Sequence, residues 1–458
     1  MQTQPPTRHL WLPLVPLLVA SACNGRAGAP ADAGGLSLVV SGDTAGWIAP
    51  CACSARQSGG LARRATFVKE CRQTDDVVPV DVGGAPSGTS PYDVAKFAAM
   101  LRGEMALGTV AHNIGAAEAA LGPNTLRTLA TDTGAPWVSA NASDASGEPI
   151  APALRLIEAG GRRLAIVGVL SKKFATADVR VDDPAAAVLR ALSEAAGQYD
   201  AAIVLAYLPT EELEALAKSL PEVDLVVGGP TLQTLEPRQI GPTMVAAVTN
   251  KGKFMARFSA PRGTKSGSWR GEIVELDGRF ADDPGQLANL ESYRKMLLER
   301  DFTSAETSFA PPLPDRLPEN YQVAGTAACK ACHEEDCTVW KESKHAAAWA
   351  TLEARSSHGD PFCQQCHTTG YGLSGGFVSL AAGAGRVAVG CESCHGPAQA
   401  HSLRPQTPTT YVAHDQCLRC HDRENSPTFA YAGYWEKIRH GQESTARRAS
   451  LLPKEIVP

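Results

Sequence analysis

The chain has 458 residues, enough for two or three domains that each bury a core of their own. Charged residues make up 20% and the formal net charge is −5, which excludes a strongly basic, polyanion-binding protein, so no nucleic acid is expected as a partner. Hydrophobic residues make up 44%, an ordinary share for a globular protein.

The N-terminus has the features of an export signal. Arg8 and His9 precede an apolar run over residues 10–20. This run is shorter than the roughly 20 apolar residues that span a bilayer, and no later segment is apolar enough to do so. We therefore predict a signal peptide over residues 1–22 and an exported, periplasmic protein.

Two processing alternatives remain open at the end of this signal. Ala20-Ser21-Ala22 fits an ordinary signal-peptidase site, and the same small residues before Cys23 fit a lipobox, in which that cysteine is acylated. Ala20 replaces the usual lipobox leucine, but a Gly/Ala/Pro-rich segment follows Cys23 directly. This favours lipidation of Cys23, a tether over residues 23–36 and a membrane-anchored lipoprotein.

Residues 37–300 alternate between predicted strands and predicted helices. The strand candidates are apolar runs that mostly end in glycine: LSLVVSG, VVPVDVG, RRLAIVGVL, AAIVLAYL and VDLVVGG. The helix candidates are amphipathic: PYDVAKFAAMLRGEMALG, PAAAVLRALSEAAGQ and EELEALAKSL. The alternation predicts an α/β layered domain around a mostly buried sheet, followed by a Pro-rich linker over residues 301–320.

The strand ends and their order resemble the metallophosphoesterase domain of 5′-nucleotidase-like proteins. One subgroup has GW-x-x-PC-x-C followed by GGLARRAT, which GWIAPCACSARQSGGLARRAT matches at residues 46–66. The resemblance implies a two-metal site built from Asp-x-His, Gly-Asp, Gly-Asn-His, a lone His and Gly-His-x-His at successive strand ends.

Most of the metal ligands that this resemblance implies are replaced. Asp43 and Asn113 remain, whereas the other positions that we could match carry Ala45, Gly84, Tyr207, Pro230 and Leu232. A bridged metal pair needs several carboxylate and imidazole ligands to polarise water and hold phosphate. We therefore expect a degenerate, non-catalytic domain, with a metal-dependent phosphoesterase as the less favoured alternative.

Eight of the 13 cysteines form four C-x-x-C-H motifs, numbered here in chain order. They are the first motif CKACH (329–333), the second CQQCH (363–367), the third CESCH (391–395) and the fourth CLRCH (417–421). Two thiols at this spacing add to the two vinyl groups of a haem, and the histidine after the second cysteine then lies under the iron.

The motifs therefore predict four c-type haems. Haem attachment is assigned to Cys329, Cys332, Cys363, Cys366, Cys391, Cys394, Cys417 and Cys420, and proximal iron ligation to His333, His367, His395 and His421. Zinc ribbons also use C-x-x-C pairs, but they do not require a histidine after every second cysteine. Their free thiolates also suit a reducing cytosol better than the oxidising compartment of an exported protein. So short a segment cannot build a large aliphatic core around four haems, which predicts a haem-packed domain suited to electron hopping.

Five further histidines follow the first motif: His345, His358, His401, His414 and His440. A haem with histidine on both faces is suited to electron transfer, whereas one with an open face can bind a small molecule. His401 lies only six residues after His395, so reaching that iron from the other side would stretch the chain, and a neighbouring haem is easier to serve. The favoured distal ligands are His345, His401 and His440. The segment VWKESKHAAAW, which contains His345, is predicted to form a helix.

Residues 321–441 resemble the tetrahaem cytochrome c-554 family of nitrifying bacteria. The resemblance rests on CKACH…SKHAAAW, CQQCHTTGYGLSGGF, VGCESCHGPAQAH, CLRCH and YWEKIRH. It implies a mostly helical multihaem cytochrome c domain, taken here as residues 321–445 with a tail over 446–458.

The resemblance also implies a set of iron ligands. His345 would face His395, His401 would face His333, and His440 would face His421. His367 would hold a five-coordinate iron, unless His358 or His414 caps it.

Four cysteines of the mature chain lie outside the haem motifs and outside the lipidation site. Cys51, Cys53 and Cys71 fall in or near the subgroup pattern, and Cys337 follows the first motif. In an oxidising compartment a disulfide from Cys71 to Cys51 or Cys53 is expected, with the pairing left open.

The sequence thus favours an electron-transfer protein over an enzyme. Its partners would be redox proteins or quinol-linked donors. The first alternative is a haem enzyme that acts on a small nitrogen or oxygen compound at an open iron. The second alternative is a metal-dependent phosphoesterase or 5′-nucleotidase.

Overall fold

The computed structural model describes residues 34–50, 57–262, 269–309, 317 and 319–441. Cys23, Cys51 and Cys53 lie outside these residues, as does the expected signal peptide. Among the helices that are described, each falls short of the length and apolar character needed to cross a membrane.

The described residues form 14 strands, numbered along the chain. They are β1 (Gly35–Ser41), β2 (Asp75–Asp81), β3 (Ala111–Asn113), β4 (Trp137–Val138), β5 (Ala142–Asp144), β6 (Leu154–Ala159), β7 (Arg162–Leu170), β8 (Val179–Val181), β9 (Ala201–Tyr207), β10 (Leu225–Gly229), β11 (Leu235–Ile240), β12 (Thr243–Ala247), β13 (Phe254–Pro261) and β14 (Arg270–Glu275).

The helices are numbered in the same way. They are α1 (Leu61–Cys71), α2 (Pro91–Leu107), α3 (Ala116–Leu121), α4 (Pro123–Thr133), α5 (Pro184–Glu194), α6 (Thr210–Ser219), α7 (Pro284–Arg300), α8 (Thr326–Cys329), α9 (Glu334–Glu342), α10 (Ala348–Glu353), α11 (Pro361–His367), α12 (Cys391–His395), α13 (Gln399–Leu403) and α14 (Tyr431–Trp435).

Two six-stranded sheets form the N-terminal part. Their strand orders are β14-β13-β1-β2-β3-β4 and β11-β12-β10-β9-β7-β6. In each sheet the central strands are parallel, while β13, β14, β6 and β11 pair antiparallel at the edges. The predicted strands and helices of the α/β region are confirmed, including α2, which begins with a Ser90–Asp93 capping box and ends at left-handed Gly108.

Alternate residues of a strand point to opposite faces of its sheet. One face of each sheet packs into a core that the two sheets share. Leu36, Leu38 and Val40 of β1 join Leu164 and Ile166 of β7 in the largest apolar cluster. The other face of the second sheet packs on α5 and α6, and the other face of the first sheet packs on α1. The α/β layered prediction is therefore confirmed.

The C-terminal part contains short helices and long connections, as predicted for a mostly helical domain. One helix prediction was wrong in its extent. The segment VWKESKHAAAW was expected to be continuous, but Ser343 adopts an extended conformation and its hydroxyl donates to the Trp340 carbonyl at 2.6 Å. The helix therefore ends at Glu342, and His345 lies in a turn before α10.

Candidate haem centres and the strand-end site

Each C-x-x-C-H motif is compact in the structure. α11 carries the second motif, and the Asp360 carboxylate caps its start by accepting from the Phe362 amide at 2.9 Å. α12 is the third motif itself. In the first and fourth motifs, the histidine amide donates to the carbonyl of the first motif cysteine, at 3.0 Å for His333 and 2.9 Å for His421. Both thiols and the histidine of one motif thus lie on about one turn, as attachment to a single haem requires.

Three imidazole pairs bring together histidines from distant parts of the chain. The ring centroids are 6.2 Å apart for His333 and His401, 6.2 Å for His345 and His421, and 6.0 Å for His395 and His440. Two imidazoles on opposite faces of one metal ion would have centroids about 6 Å apart, because each metal–nitrogen bond is about 2 Å and each ring adds about 1 Å. The pairs therefore fit bis-histidine haem iron.

Two of these partnerships differ from those that the family resemblance implied. His401 faces His333, as expected. His345, however, faces His421 and not His395, and His440 faces His395 and not His421. The helix end at Glu342 places His345 in a turn and not on the predicted helix.

Five motif or spare histidines use Nδ1 for a hydrogen bond, which leaves Nε2 as the nitrogen for iron. The acceptors are Asp336 for His333 (3.1 Å), the Ala348 carbonyl for His367 (2.7 Å) and the Thr407 carbonyl for His401 (2.6 Å). His421 contacts the Ser426 hydroxyl (3.0 Å), and His440 the Ile438 carbonyl (2.7 Å). These partners orient each ring, and the carboxylate and carbonyl acceptors also require a proton on Nδ1 of His333, His367, His401 and His440.

Burial keeps several of these rings neutral, the state that can ligate a metal. Burial lowers the pKa of His345, and the neighbouring His421 lowers it further. The pKa of His367 is also lowered by burial, against the opposing hydrogen bond to Ala348. Burial likewise lowers the pKa of His421, although Asp422 opposes it.

His367 has no partner ring of this kind among the residues that the structure describes. His358 packs against Trp349 instead, at 6.1 Å between centroids. The exposed His414 pairs with Asp415 at 2.7 Å and contacts Tyr431. Neither spare histidine therefore lies opposite the His367 ring, so one face of this site has no histidine among the described residues.

The sulfur atoms show which motifs are neighbours. Cys329 and Cys391 lie close enough for each thiol to shift the pKa of the other, so the first motif neighbours the third. In the same way Cys366 lowers the pKa of Cys420, and burial together with Cys417 and Cys420 raises the pKa of Cys394, so the fourth motif neighbours both the second and the third. Cys71 and Cys337 are buried and form no disulfide with another described residue, and the partners expected for Cys71 lie outside the described residues.

Glu392 has a role that the sequence did not reveal. Its buried carboxylate accepts from the backbone amides of Ala324 (2.8 Å), Gly325 (2.6 Å) and Ala398 (2.7 Å). It thereby ties the third motif to the segment before α8. No sequence signal distinguishes Glu392 from the variable residues between the cysteines of the other motifs.

In the N-terminal part, the strand-end site (Asp43, Tyr207 and Thr249) lies where the implied metal ligands would be. The Asp43 carboxylate accepts from the Tyr207 hydroxyl at 3.2 Å and from the Thr249 hydroxyl. Burial raises the pKa of Asp43, although these two hydrogen bonds act to lower it. Burial and the nearby Asp43 charge raise the pKa of Tyr207. A Cβ atom on Gly84 would come within 2.6 Å of the Tyr207 ring, so the ring fills the space of a larger side chain.

The side chains at the remaining matched positions do not come together as a set of metal ligands. The Asn113 amide nitrogen donates to the carbonyls of Val82 and Val169, both at 3.0 Å, and so bridges two sheets. Ala45 contributes only its backbone amide, which donates to the Gly84 carbonyl. Pro230 follows β10, and Leu232 is 95% exposed.

A buried cluster nearby brings ligand atoms of Asp81, Glu104 and His112 within 4.8 Å of one another. It already holds cations of its own, because Arg64 lies 3.5 Å from Glu104 and 3.7 Å from Asp81. Burial lowers the pKa of His112, but the charges of Glu104 and Asp81 outweigh this and raise it well above the usual value. Both ring nitrogens of His112 already face carboxylate oxygens, Nδ1 at 2.7 Å from Glu104 and Nε2 at 3.3 Å from Glu118, so the polar groups of the cluster are paired with one another.

Comparison with known proteins separates the two parts of the chain. Residues 328–396 match the family described as cytochrome c554 and c-prime. Cytochrome c-554 of Nitrosomonas europaea is 32% identical over 88 residues, which cover 16% of this chain and 37% of that protein. The chain thus spans little more than a third of the length of this curated relative.

The solved structures that are similar share the fold of the N-terminal part. A 5′-nucleotidase precursor from Thermus thermophilus is 22% identical, covers 58% of this chain and 60% of its own, and has a TM-score of 0.50. The sulfate thiohydrolase SoxB of the same organism is 17% identical (59% and 62% covered, TM-score 0.50). A calcineurin-like phosphoesterase from Bacillus subtilis is 16% identical (58% and 98% covered, TM-score 0.51).

At these identities the structural likeness concerns the fold alone. The N-terminal part therefore has a metallophosphoesterase-like fold, and the C-terminal part is similar in sequence to the cytochrome c-554 family over the first three haem motifs.

Proposed function

We propose that this protein is an exported multihaem c-type cytochrome that transfers electrons along four covalently bound haems. The observation that carries this proposal is the spacing of three histidine pairs, each of which joins a motif histidine to a histidine elsewhere in the chain. The eight motif cysteines would attach the haems, and His333, His367, His395 and His421 would be proximal ligands. His401, His345 and His440 would be the distal ligands.

The haem irons would supply one-electron chemistry, and the side chains of this protein would set the conditions for it. The Nδ1 hydrogen bonds hold the ligand rings in place, and burial keeps His345, His367 and His421 neutral. The neighbouring cysteines support a series in which the first motif lies next to the third, the third next to the fourth and the fourth next to the second. Short separations along this series would favour electron hopping.

The likeness to cytochrome c-554 supports redox proteins or quinol-linked donors as partners. Export, cleavage after residue 22 and lipidation of Cys23 belong to the same proposal, as do a periplasmic location and the tether over residues 23–36. The domain limits proposed are 37–300 for the α/β domain, 301–320 for the linker and 321–445 for the haem domain, with a tail over 446–458. Phe302, Ser304 and Thr307 of the linker pack against neighbouring parts of the chain.

The four haems are tested by intact-mass spectrometry of the protein produced with a haem-maturation system. The proposal expects a mass gain of four haems, and a gain of three in a Cys417→Ser/Cys420→Ser variant. Zinc in place of haem, measured by elemental analysis of the same sample, would overturn the proposal.

A haem enzyme is a second candidate, because His367 lacks a partner ring among the described residues. An open iron there would bind a small ligand such as nitric oxide. Turnover of a nitrogen or oxygen compound that disappears in the Cys363→Ser/Cys366→Ser variant would favour this candidate, whereas ligand binding without turnover would favour the electron-transfer protein.

We further propose that the α/β domain is non-catalytic. The hydrogen bonds of Asp43 to Tyr207 and Thr249, and the Tyr207 ring against Gly84, support this. Phosphoester cleavage should be undetectable with added Mn²⁺ or Zn²⁺. Cleavage that an Asp43→Ala substitution abolishes would restore the phosphoesterase alternative.

A further inference from the structure

Several contacts join the N-terminal part to the haem-bearing part, including Asp301, at the end of α7, which accepts from the amides of Leu380 and Ala381. Two of them lie directly beside haem motifs. The first, the second-motif contact, consists of Tyr92 and Lys96 on α2 with Asp360 and Phe362 at the start of α11. The Tyr92 hydroxyl donates to Asp360 Oδ1 at 2.7 Å, and Lys96 Nζ lies 4.8 Å from the centroid of the Phe362 ring. Since Asp360 also caps α11, α2 holds the helix that carries the second motif.

The second place, the fourth-motif contact, consists of Trp47, Lys251, Lys253 and Glu424. Glu424 lies three residues after His421 and pairs with both lysines; its Oε1 atom is 3.0 Å from Lys253 Nζ. The two ammonium groups lie 5.7 Å and 5.2 Å from the centroid of the Trp47 ring. Gln57 adds a hydrogen bond to the Glu424 carbonyl at 3.3 Å.

These two contacts lie at two motifs that neighbour each other, since Cys366 is close enough to lower the pKa of Cys420. The first and third motifs are joined in another way, because Glu392 binds the amides that precede α8. The α/β domain therefore contacts both members of one neighbouring pair of motifs, each through a partly buried polar contact.

The loop that carries both lysines has a constrained backbone. Asn250, Lys251 and Gly252 have φ values of 69°, 57° and 63°, a left-handed conformation that costs energy for residues other than glycine. The preceding residue, Thr249, donates to Asp43. The loop is thus fixed on one side by the strand-end site and on the other by Glu424.

We propose that the α/β domain is an intramolecular clamp that fixes the fourth motif relative to the second, and so sets the redox properties of the haems at His421 and His367. This rests on the proposed function, because it presumes haem at both motifs. The domain would thus retain its fold for positioning rather than for hydrolysis.

Charge reversal tests the clamp. Glu424→Lys would put a third ammonium group beside Lys251 and Lys253, and the Lys251→Glu/Lys253→Glu variant would put two carboxylates beside Glu424. Combining all three substitutions restores opposite charges across the contact. Glu212→Lys is a matched control, because Glu212 also pairs with a lysine (Lys173, 2.8 Å) but lies on α6.

Two measurements on the full haem-loaded chain report the result. Hydrogen exchange of backbone amides 422–425 should become roughly three- to tenfold faster in Glu424→Lys, the effect of losing an interaction of ordinary strength. Optical redox titration should show a shifted potential for one or two of the haems. Both changes should revert in the triple variant and be missing in Glu212→Lys.

Haem content, measured on every variant, distinguishes a failure of the clamp proposal from a failure of the proposed electron-transfer function. Wild-type protein without covalent haem would defeat the proposed function. Four haems with unchanged exchange and unchanged potentials in Glu424→Lys would overturn the clamp alone. A shift that the triple variant fails to restore would also count against it, because the effect would then not arise from the ion pairs.

Discussion

At the scale of single residues, His345 and His440 show what spacing along the chain does not determine. The motifs identify four proximal histidines directly, because the chemistry requires them next to a cysteine. A distal ligand has no such neighbour, and its partner depends on the path of the chain in three dimensions. His345, in a turn after the helix end at Glu342, faces His421, and His440 faces His395.

Substitution of the distal histidines tests this pairing. In a Cys417→Ser/Cys420→Ser background, which lacks the fourth haem, His345→Ala should leave both remaining low-spin haems unchanged in an electron paramagnetic resonance (EPR) spectrum. His440→Ala in the same background should convert one of them to high spin, because His440 faces His395. The opposite result would restore the pairing that the family resemblance implied.

The space beside Gly84 in the strand-end site is occupied by the Tyr207 ring. The φ of Gly84 is 79°, and an added Cβ would come within 2.6 Å of the Tyr207 ring. Gly84→Ala should lower the free energy of unfolding by roughly 2–5 kcal/mol, of which about 1–2 kcal/mol comes from the left-handed backbone and the rest from overlap with the ring.

Gly134→Ala separates these two causes, because Gly134 has a similar φ of 77° and nothing within 4 Å of the added atom. It should show only the smaller, backbone loss in chemical denaturation. Equal losses for the two variants would mean that the Tyr207 ring moves aside freely.

At the scale of elements, the α/β region could be predicted because each part of its sequence agrees with its structure. The apolar runs form β7 and β10, of which β10 ends in glycine, and a Ser-Pro start with a Gly end bounds α2. The haem-bearing segment has no comparable periodicity. Its short helices depend on caps and on contacts such as those of Glu392. These contacts cannot be predicted from the local sequence pattern.

Glu392→Ala tests how strongly two of these elements are joined. It leaves three backbone amides without their carboxylate acceptor, in a site where Glu392 is 2% exposed. Hydrogen bonds to a charged group contribute about 1.5–3 kcal/mol each, so a loss of at least about 3 kcal/mol is expected in denaturant unfolding of the haem-loaded protein. Glu334→Ala, at an exposed position of α9, should be nearly neutral; a similar effect of both variants would refute the role of Glu392.

At the scale of the whole molecule, the contact between the two parts should depend on pH. Burial raises the pKa of Glu424, but its hydrogen bonds and ion pairs with Lys251 and Lys253 outweigh burial and lower it below the usual value of 4.5. A lowered pKa in the folded protein stabilises the fold above pH 4.5, and this contribution is lost as the pH falls through the folded-state value.

The difference in unfolding free energy between wild type and Glu424→Gln should therefore be constant from pH 7 to about pH 5.5 and shrink below about pH 4.5. Denaturant titrations of both proteins at each pH measure it. A difference that stays constant down to pH 3 would show that the charge of Glu424 does not stabilise the contact.

The most direct test of the proposed electron-transfer function is an EPR spectrum of the oxidised, haem-loaded protein with spins counted per chain. Three histidine pairs and an unpaired His367 predict three low-spin ferric haems and one high-spin ferric haem. Fewer than three low-spin haems, or a spectrum without any haem signal, would contradict the histidine pairing on which the proposed function rests.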